Sequence, residues 1–170
     1  MNNYYPPYYS YPSYYQQNSL FRSNSGFNIP FLPIVGDQSF TKLTDDILKS
    51  IVDEATAAHF YARLLKQAPD SLHKAFIEHA YEDELKHLQA FTKLYVHLTN
   101  HHPQYEIQQI QFSTYKDGIL KALKAELEAA EFYRDVKLSS PDPLVKDTFF
   151  YAMVDELEHS TQFGVLYNSL

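Results

Sequence analysis

From about Ser39 onward the chain is a series of long stretches in which apolar residues return every three or four positions, separated by short breaks that carry proline. Ile47, Ile51, Ala58 and Tyr61 share one helical face, as do Ile77, Ala80, Phe91 and Leu94, and again Ile119, Leu123, Ala130 and Tyr133. A return near 3.6 residues marks a helix that buries one stripe. The breaks divide the pattern into predicted helices over residues 41–67, 70–98, 114–138 and 143–167. Thr44, Asp45 and Asp46, and Asp70 with Ser71, offer capping oxygens and negative charge for helix starts, and Pro143 suits a first turn, where no amide hydrogen is needed.

The connections differ in length. Ala68-Pro69 and Ser139-Ser140-Pro141 leave room only for tight antiparallel turns. Residues 99–113 make a connection that reaches ~50 Å if extended, while the second helix is ~43 Å long at ~1.5 Å per residue. Such a segment runs the length of a bundle and sets the second and third helices parallel. The expected fold is all-α: two helical hairpins joined by a long crossover into a four-helix bundle over residues 39–170, preceded by an irregular tail or strap over residues 1–38.

Composition supports that division and narrows the chemistry. Up to Gly36 the only charged side chain is Arg22, and the first fifteen residues hold seven tyrosines and three prolines, too little aliphatic content for a core. No basic start leads into an apolar run, so no signal peptide is expected, and no stretch is apolar over the ~18 residues a span requires. The net charge of −7 without a basic block argues against nucleic acid as a partner. Cysteine is absent, which excludes disulfides, thiolate metal sites and a thiol nucleophile. Any metal must be held by nitrogen and oxygen, and the chain has 21 acidic residues and eight histidines.

Sliding the chain against itself by 72 residues exposes an internal repeat. Glu54, Ala57, Ala58, Phe60 and Tyr61 fall on Glu126, Ala129, Ala130, Phe132 and Tyr133. Pro69, Asp70, Leu72 and Lys74 fall on Pro141, Asp142, Leu144 and Lys146 without a gap. Ala80, Asp83, Glu84, Leu85, His87 and Phe91 fall on Ala152, Asp155, Glu156, Leu157, His159 and Phe163, which makes fifteen identities in one register. The folded part reads as one helical hairpin used twice about a pseudo-twofold axis.

Height and face single out six of these residues. Glu54 lies fifteen residues before Pro69, and Glu84 and His87 lie fifteen and eighteen after it; Glu126, Glu156 and His159 stand in the same relation to Pro141. Side chains equally far from a hairpin turn lie level on its two helices, and all six interrupt apolar stripes. Four buried carboxylates cost several kcal/mol each unless positive charge compensates them. Two divalent cations would do so, and the i, i+3 spacing lets a Glu and a His of one helix reach one ion.

At this point residues 41–167 resemble the ferritin-like proteins, and among them the rubrerythrin and bacterioferritin type, in which each half carries a Glu and a Glu-x-x-His. The resemblance implies two iron ions with bridging carboxylates Glu84 and Glu156, terminal Glu54 and Glu126, and histidine ligands His87 and His159. Tyr61 and Tyr133 look like groups that support the ligands. Asp83 and Asp155 read equally as acceptors for a ligand histidine or as exposed acids. Manganese suits the same donors, and zinc or an empty site stays open. The chain departs from rubrerythrins in having Ala129 where they carry a further ligand Glu, and in lacking the cysteines of a rubredoxin domain, so electrons would come from an external donor.

The function this predicts is ferroxidase or peroxidase chemistry on O2 or H2O2 by a non-haem di-iron oxidoreductase, with a di-manganese, catalase-like protein as its relative. A different class is a structural or assembly protein using the bundle as scaffold, since the Tyr/Pro-rich tail resembles those of spore-coat proteins; a homo-oligomer or coat assembly would then form through the tail. The expected location is cytoplasmic, or the spore coat. Glu128 and Glu131 share a stripe with Lys121, Lys124 and Asp135 that reads as a solvated face, and His59, His73, His79, His97, His101 and His102 read as surface residues.

Overall fold

The computed structural model describes residues 39–170; the tail or strap expected over 1–38 lies outside them. The described residues form helices α1 (Phe40–Leu64, continued by one 3-10 turn at Leu65–Gln67), α2 (Ser71–Thr99), α3 (Tyr115–Ser139) and α4 (Pro143–Ser169), with no strand among them. All four expected helices are present within three residues of their predicted ends. The cap of α1 differs from the expectation: Ser39 accepts from the Lys42 amide, which starts the helix ahead of Thr44, Asp45 and Asp46. These three lie inside the first turns because Ser39 is followed at once by helix-compatible residues and leaves no reason to wait for a later cap. Asp70, Thr114 and Asp142 cap the other three helices through their side-chain oxygens. Asn100, in the left-handed region at φ 57°, closes α2.

The crossover runs along α1. The Gln108 amide donates to Thr56 Oγ1, Arg63 Nη1 donates to the Ile110 carbonyl at 2.7 Å, and Gly118 at the start of α3 lies against Leu64 at the end of α1. The chain therefore re-enters the bundle at the turn end of the first hairpin. This makes α3 antiparallel to α1 and parallel to α2, as the loop length predicts. α1 packs on α2, α3 on α4, α2 on α4, and α1 on α3 beneath the crossover.

The core has three layers along the bundle. One apolar layer is built around Ile47, Ile51, Phe91, Tyr133 and Phe149, the other around Phe60, Leu64, Ile77, Ile119 and Phe163. Between them lies a layer of buried acids and histidines. His73 is a correction to its expected surface position: it is 2 % exposed, with its ring nitrogens 2.9 Å from Tyr115 Oη and from Ser169 Oγ. The first turn of α2 is covered by the start of α3 and the end of α4, and spacing along α2 alone carries no sign of that cover.

Candidate metal centre

Glu54 of α1, Glu84 and His87 of α2, Glu126 of α3, and Glu156 and His159 of α4 are each 0–2 % exposed. They form two overlapping groups of donors, Glu54, Glu84, His87 and Glu156, and Glu84, Glu126, Glu156 and His159. Within each group the donor atoms lie within 4.8 Å of one another, so each could hold a metal ion. Glu84 and Glu156 belong to both groups. The proline turns fix the height of all six, and the helical period turns them to one axis.

Polar partners hold them from behind, in pairs related by the 72-residue shift. The Tyr61 hydroxyl donates to Glu126 Oε1 and the Tyr133 hydroxyl to Glu54 Oε1, each reaching the acid of the other hairpin. His87 Nε2 lies 3.0 Å from Asp155 Oδ2, and His159 Nε2 lies 3.3 Å from Asp83 Oδ2, again across hairpins. Of the two readings open for Asp83 and Asp155, the geometry therefore favours the acceptor. A carboxylate at Nε2 keeps the proton there and turns Nδ1 toward the acids. His87 Nδ1 lies 3.2 Å from Glu156 Oε1 and 3.6 Å from Glu54 Oε2; His159 Nδ1 lies 3.5 Å from Glu156 Oε2.

The electrostatics are those of four carboxyl groups and two imidazoles buried together. Burial pushes the Glu84 carboxyl well up, reinforced by the acids of Glu156, Glu54 and Glu126. Burial, then Glu156, does the same to Glu126. Burial alone would lower the histidines, but Glu156 and Glu54 hold His87 up at about 11, and Glu126 and Glu156 hold His159 at about 10. Burial also works upward on Glu156, yet its contacts with Glu126, His159 and His87 bring it below the ordinary range. Protons thus stand where cations would compensate the acids. Burial and the acceptor acids Glu126 and Glu54 raise Tyr61 and Tyr133 well up, so both phenols keep their protons.

The donors fit a pair of metal ions. Glu54 Oε2, Glu84 Oε1, Glu156 Oε1, His87 Nδ1 and His159 Nδ1 are buried without a hydrogen-bond partner. Buried polar atoms without a well-aligned hydrogen bond are costly in a core, and these five belong to the two donor groups. A cavity of about 210 Å³ reaches the same acids from the α1–α3 side. Its walls are Ala57, Ala125, Ala129, Tyr61 and Tyr133, and Lys49, Asp53, Gln108 and Glu128 stand at its mouth.

The opposite side, between α2 and α4, is closed by rings. Tyr151 lies edge-on to His87, with centroids 5.3 Å apart, and His79 edge-on to His159 at 5.6 Å. His79 is exposed, as expected, but its Nε2 also lies 3.3 Å from Asp83 Oδ2. Its i, i+4 spacing from Asp83 was available in the sequence as a signal. The roles of Gln108 and Tyr151 had no such signal, because both depend on a helix or loop distant in the chain.

No family model matches the chain. It is 27 % identical over 121 residues to the uncharacterized protein YhjR of Bacillus subtilis, across 71 % of this chain and 83 % of that one. Its fold is similar to a crystal structure from Anabaena variabilis, of a two-domain protein containing DJ-1/ThiJ/PfpI-like and ferritin-like domains, with a TM-score of 0.63 and 12 % identity. The likeness covers 78 % of this chain but only 38 % of that protein. The four helices are thus a ferritin-like bundle; at this identity the likeness extends to fold alone.

Proposed function

We propose that the chain is a rubrerythrin-like or bacterioferritin-like di-metal carboxylate protein that holds two iron ions and reduces H2O2 or O2 with electrons from an external donor. The observation that supports this reading is the sharing of Glu84 and Glu156 between two buried donor groups, each completed by one Glu and one His. Glu54 with His87 would hold one ion, Glu126 with His159 the other, and Glu84 and Glu156 would span both. When bound, two such ions supply the pair of electrons that a peroxide O–O bond needs to break.

The chain's own groups prepare that chemistry. Asp155 and Asp83 fix the imidazoles with Nδ1 inward. Tyr61 and Tyr133 hold the outer acids and present protonated hydroxyls to the cavity, close to where an oxygen substrate would bind. Ala57 and Ala129 keep that cavity open at the level of the acids. The two apolar layers exclude water from the other directions.

The test is a count of bound metal together with peroxide-dependent turnover. Two irons per chain, and turnover lost in the double variant Glu84→Gln, Glu156→Gln, are expected; absence of both metal and turnover in the parent protein would defeat the proposal. Two manganese ions would move the reading to the catalase-like relative. The assembly reading rests on the Tyr/Pro-rich segment, outside the described residues. It gains support if removing residues 1–36 abolishes assembly while metal binding persists.

A further inference from the structure

α2 and α4 play matched parts inside the bundle, each bringing a Glu and a His to the centre, but their outward faces differ. At positions related by the 72-residue shift, α2 exposes Glu78, Glu82 and Lys93 where α4 exposes Phe150, Val154 and Val165. With Leu157, these α4 residues are 45–50 % exposed, an apolar stripe at helical spacing along the outside of a helix whose inner face is already buried. Nothing among the described residues requires it at Phe150, Val154 and Val165, since α2 carries charged residues at those places; Leu157 alone has an apolar counterpart, the exposed Leu85. Gly164 lies at the margin of the stripe, and a Cβ built there meets no atom within 4 Å. Glycine disfavours a helix interior, and packing among the described residues gives no reason for it. A bare backbone there suits the close approach of something other than the described residues.

We propose that this face of α4 pairs with the same face of a second copy of the chain. The charges at its margins favour a copy over an unrelated partner. Along the α3 edge stand Arg134 and Lys137 with the acid Glu131, and Arg134 also pairs with Asp135 at 3.0 Å; Lys137 Nζ lies 4.4 Å over the Phe150 ring, and Arg134 lines a groove with Met153 and Leu157. The edge toward α2 carries the acids Asp147 and Glu158, three turns apart on one side of α4. A twofold axis parallel to α4 sets the basic edge of each copy against the acidic edge of the other, so the face complements its own image. The centre is complete within one chain, so the pairing does not depend on the proposed function.

The experiment is sedimentation equilibrium of the full chain over a range of concentrations. The parent protein should have the mass of a dimer. The triple variant Phe150→Glu, Val154→Glu, Val165→Lys carries the residues that α2 already exposes, and should be a monomer with unchanged helical circular dichroism. Gly164→Leu has room among the described residues but obstructs a neighbour, and should raise the dimer dissociation constant at least ~10-fold, a loss of ~1.4 kcal/mol in association. It keeps the proposal testable if the triple variant misfolds. A parent monomer at every concentration, a dimer indifferent to both variants, or a dimer that forms only after residues 1–38 are removed would each overturn the proposal.

Discussion

At the scale of single residues, the candidate donors depend on the groups behind them. Asp155 accepts a hydrogen bond from His87 Nε2, and Asp155→Asn puts there a neutral amide that can donate as well as accept, which weakens the hold on the tautomer with Nδ1 free to face inward. Metal affinity should fall ~10–100-fold, with the fold intact because Asp155 is partly exposed; metal titration against a competing chelator measures it. The Tyr133 hydroxyl is a buried donor to Glu54, and Tyr133→Phe leaves that acid without it. The metal-free variant should lose ~1–3 kcal/mol of stability, the cost of leaving a buried polar group without its partner, read from urea unfolding. A loss under ~0.5 kcal/mol would show that the hydroxyl does not hold the acid.

At the scale of elements, the crossover and the first hairpin meet where Gly118 packs on the buried Leu64. A Cβ at Gly118 would overlap Leu64 Cδ2, so Gly118→Val should destabilise the protein by ~1–3 kcal/mol through overpacking, seen as a lower urea midpoint with unchanged slope. The four helices, their order and the parallel run of α2 and α3 were legible because apolar period, prolines and loop length are local quantities. The level of the six donors was legible because it is arithmetic from two turns. Which hairpin each supporting group serves was not. Tyr61 lies two turns from Glu54 in sequence yet donates to Glu126, since antiparallel α1 and α3 bring each tyrosine level with the acid of the opposite hairpin. His73 hid for the same reason: its partners, Tyr115 and Ser169, are 42 and 96 residues away.

At the scale of the whole molecule, a polar layer between two apolar ones ties stability to the charge state of the centre. Without metal, Glu84, Glu126, His87 and His159 all bind protons more tightly in the folded chain than in the unfolded one. Their contribution is full below their unfolded pKa values, about 4.5 for the acids and 6.5 for the histidines, and is lost as pH rises toward the folded values. Glu156, shifted downward, acts in the opposite sense and only at more acidic pH. Metal-free protein should therefore melt at least ~5 °C lower at pH 8.5 than at pH 5.5, whereas metal-loaded protein, with cations in place of those protons, should not. Equal slopes for the two forms in thermal unfolding would contradict this account. The most direct test of the central claim is the ratio of metal to protein, by elemental analysis, in the parent chain and in Glu54→Gln. Two iron or manganese ions per chain are expected in the parent and about one in the variant; a parent chain with fewer than one ion, or a variant indistinguishable from it, would rule out a shared two-ion centre.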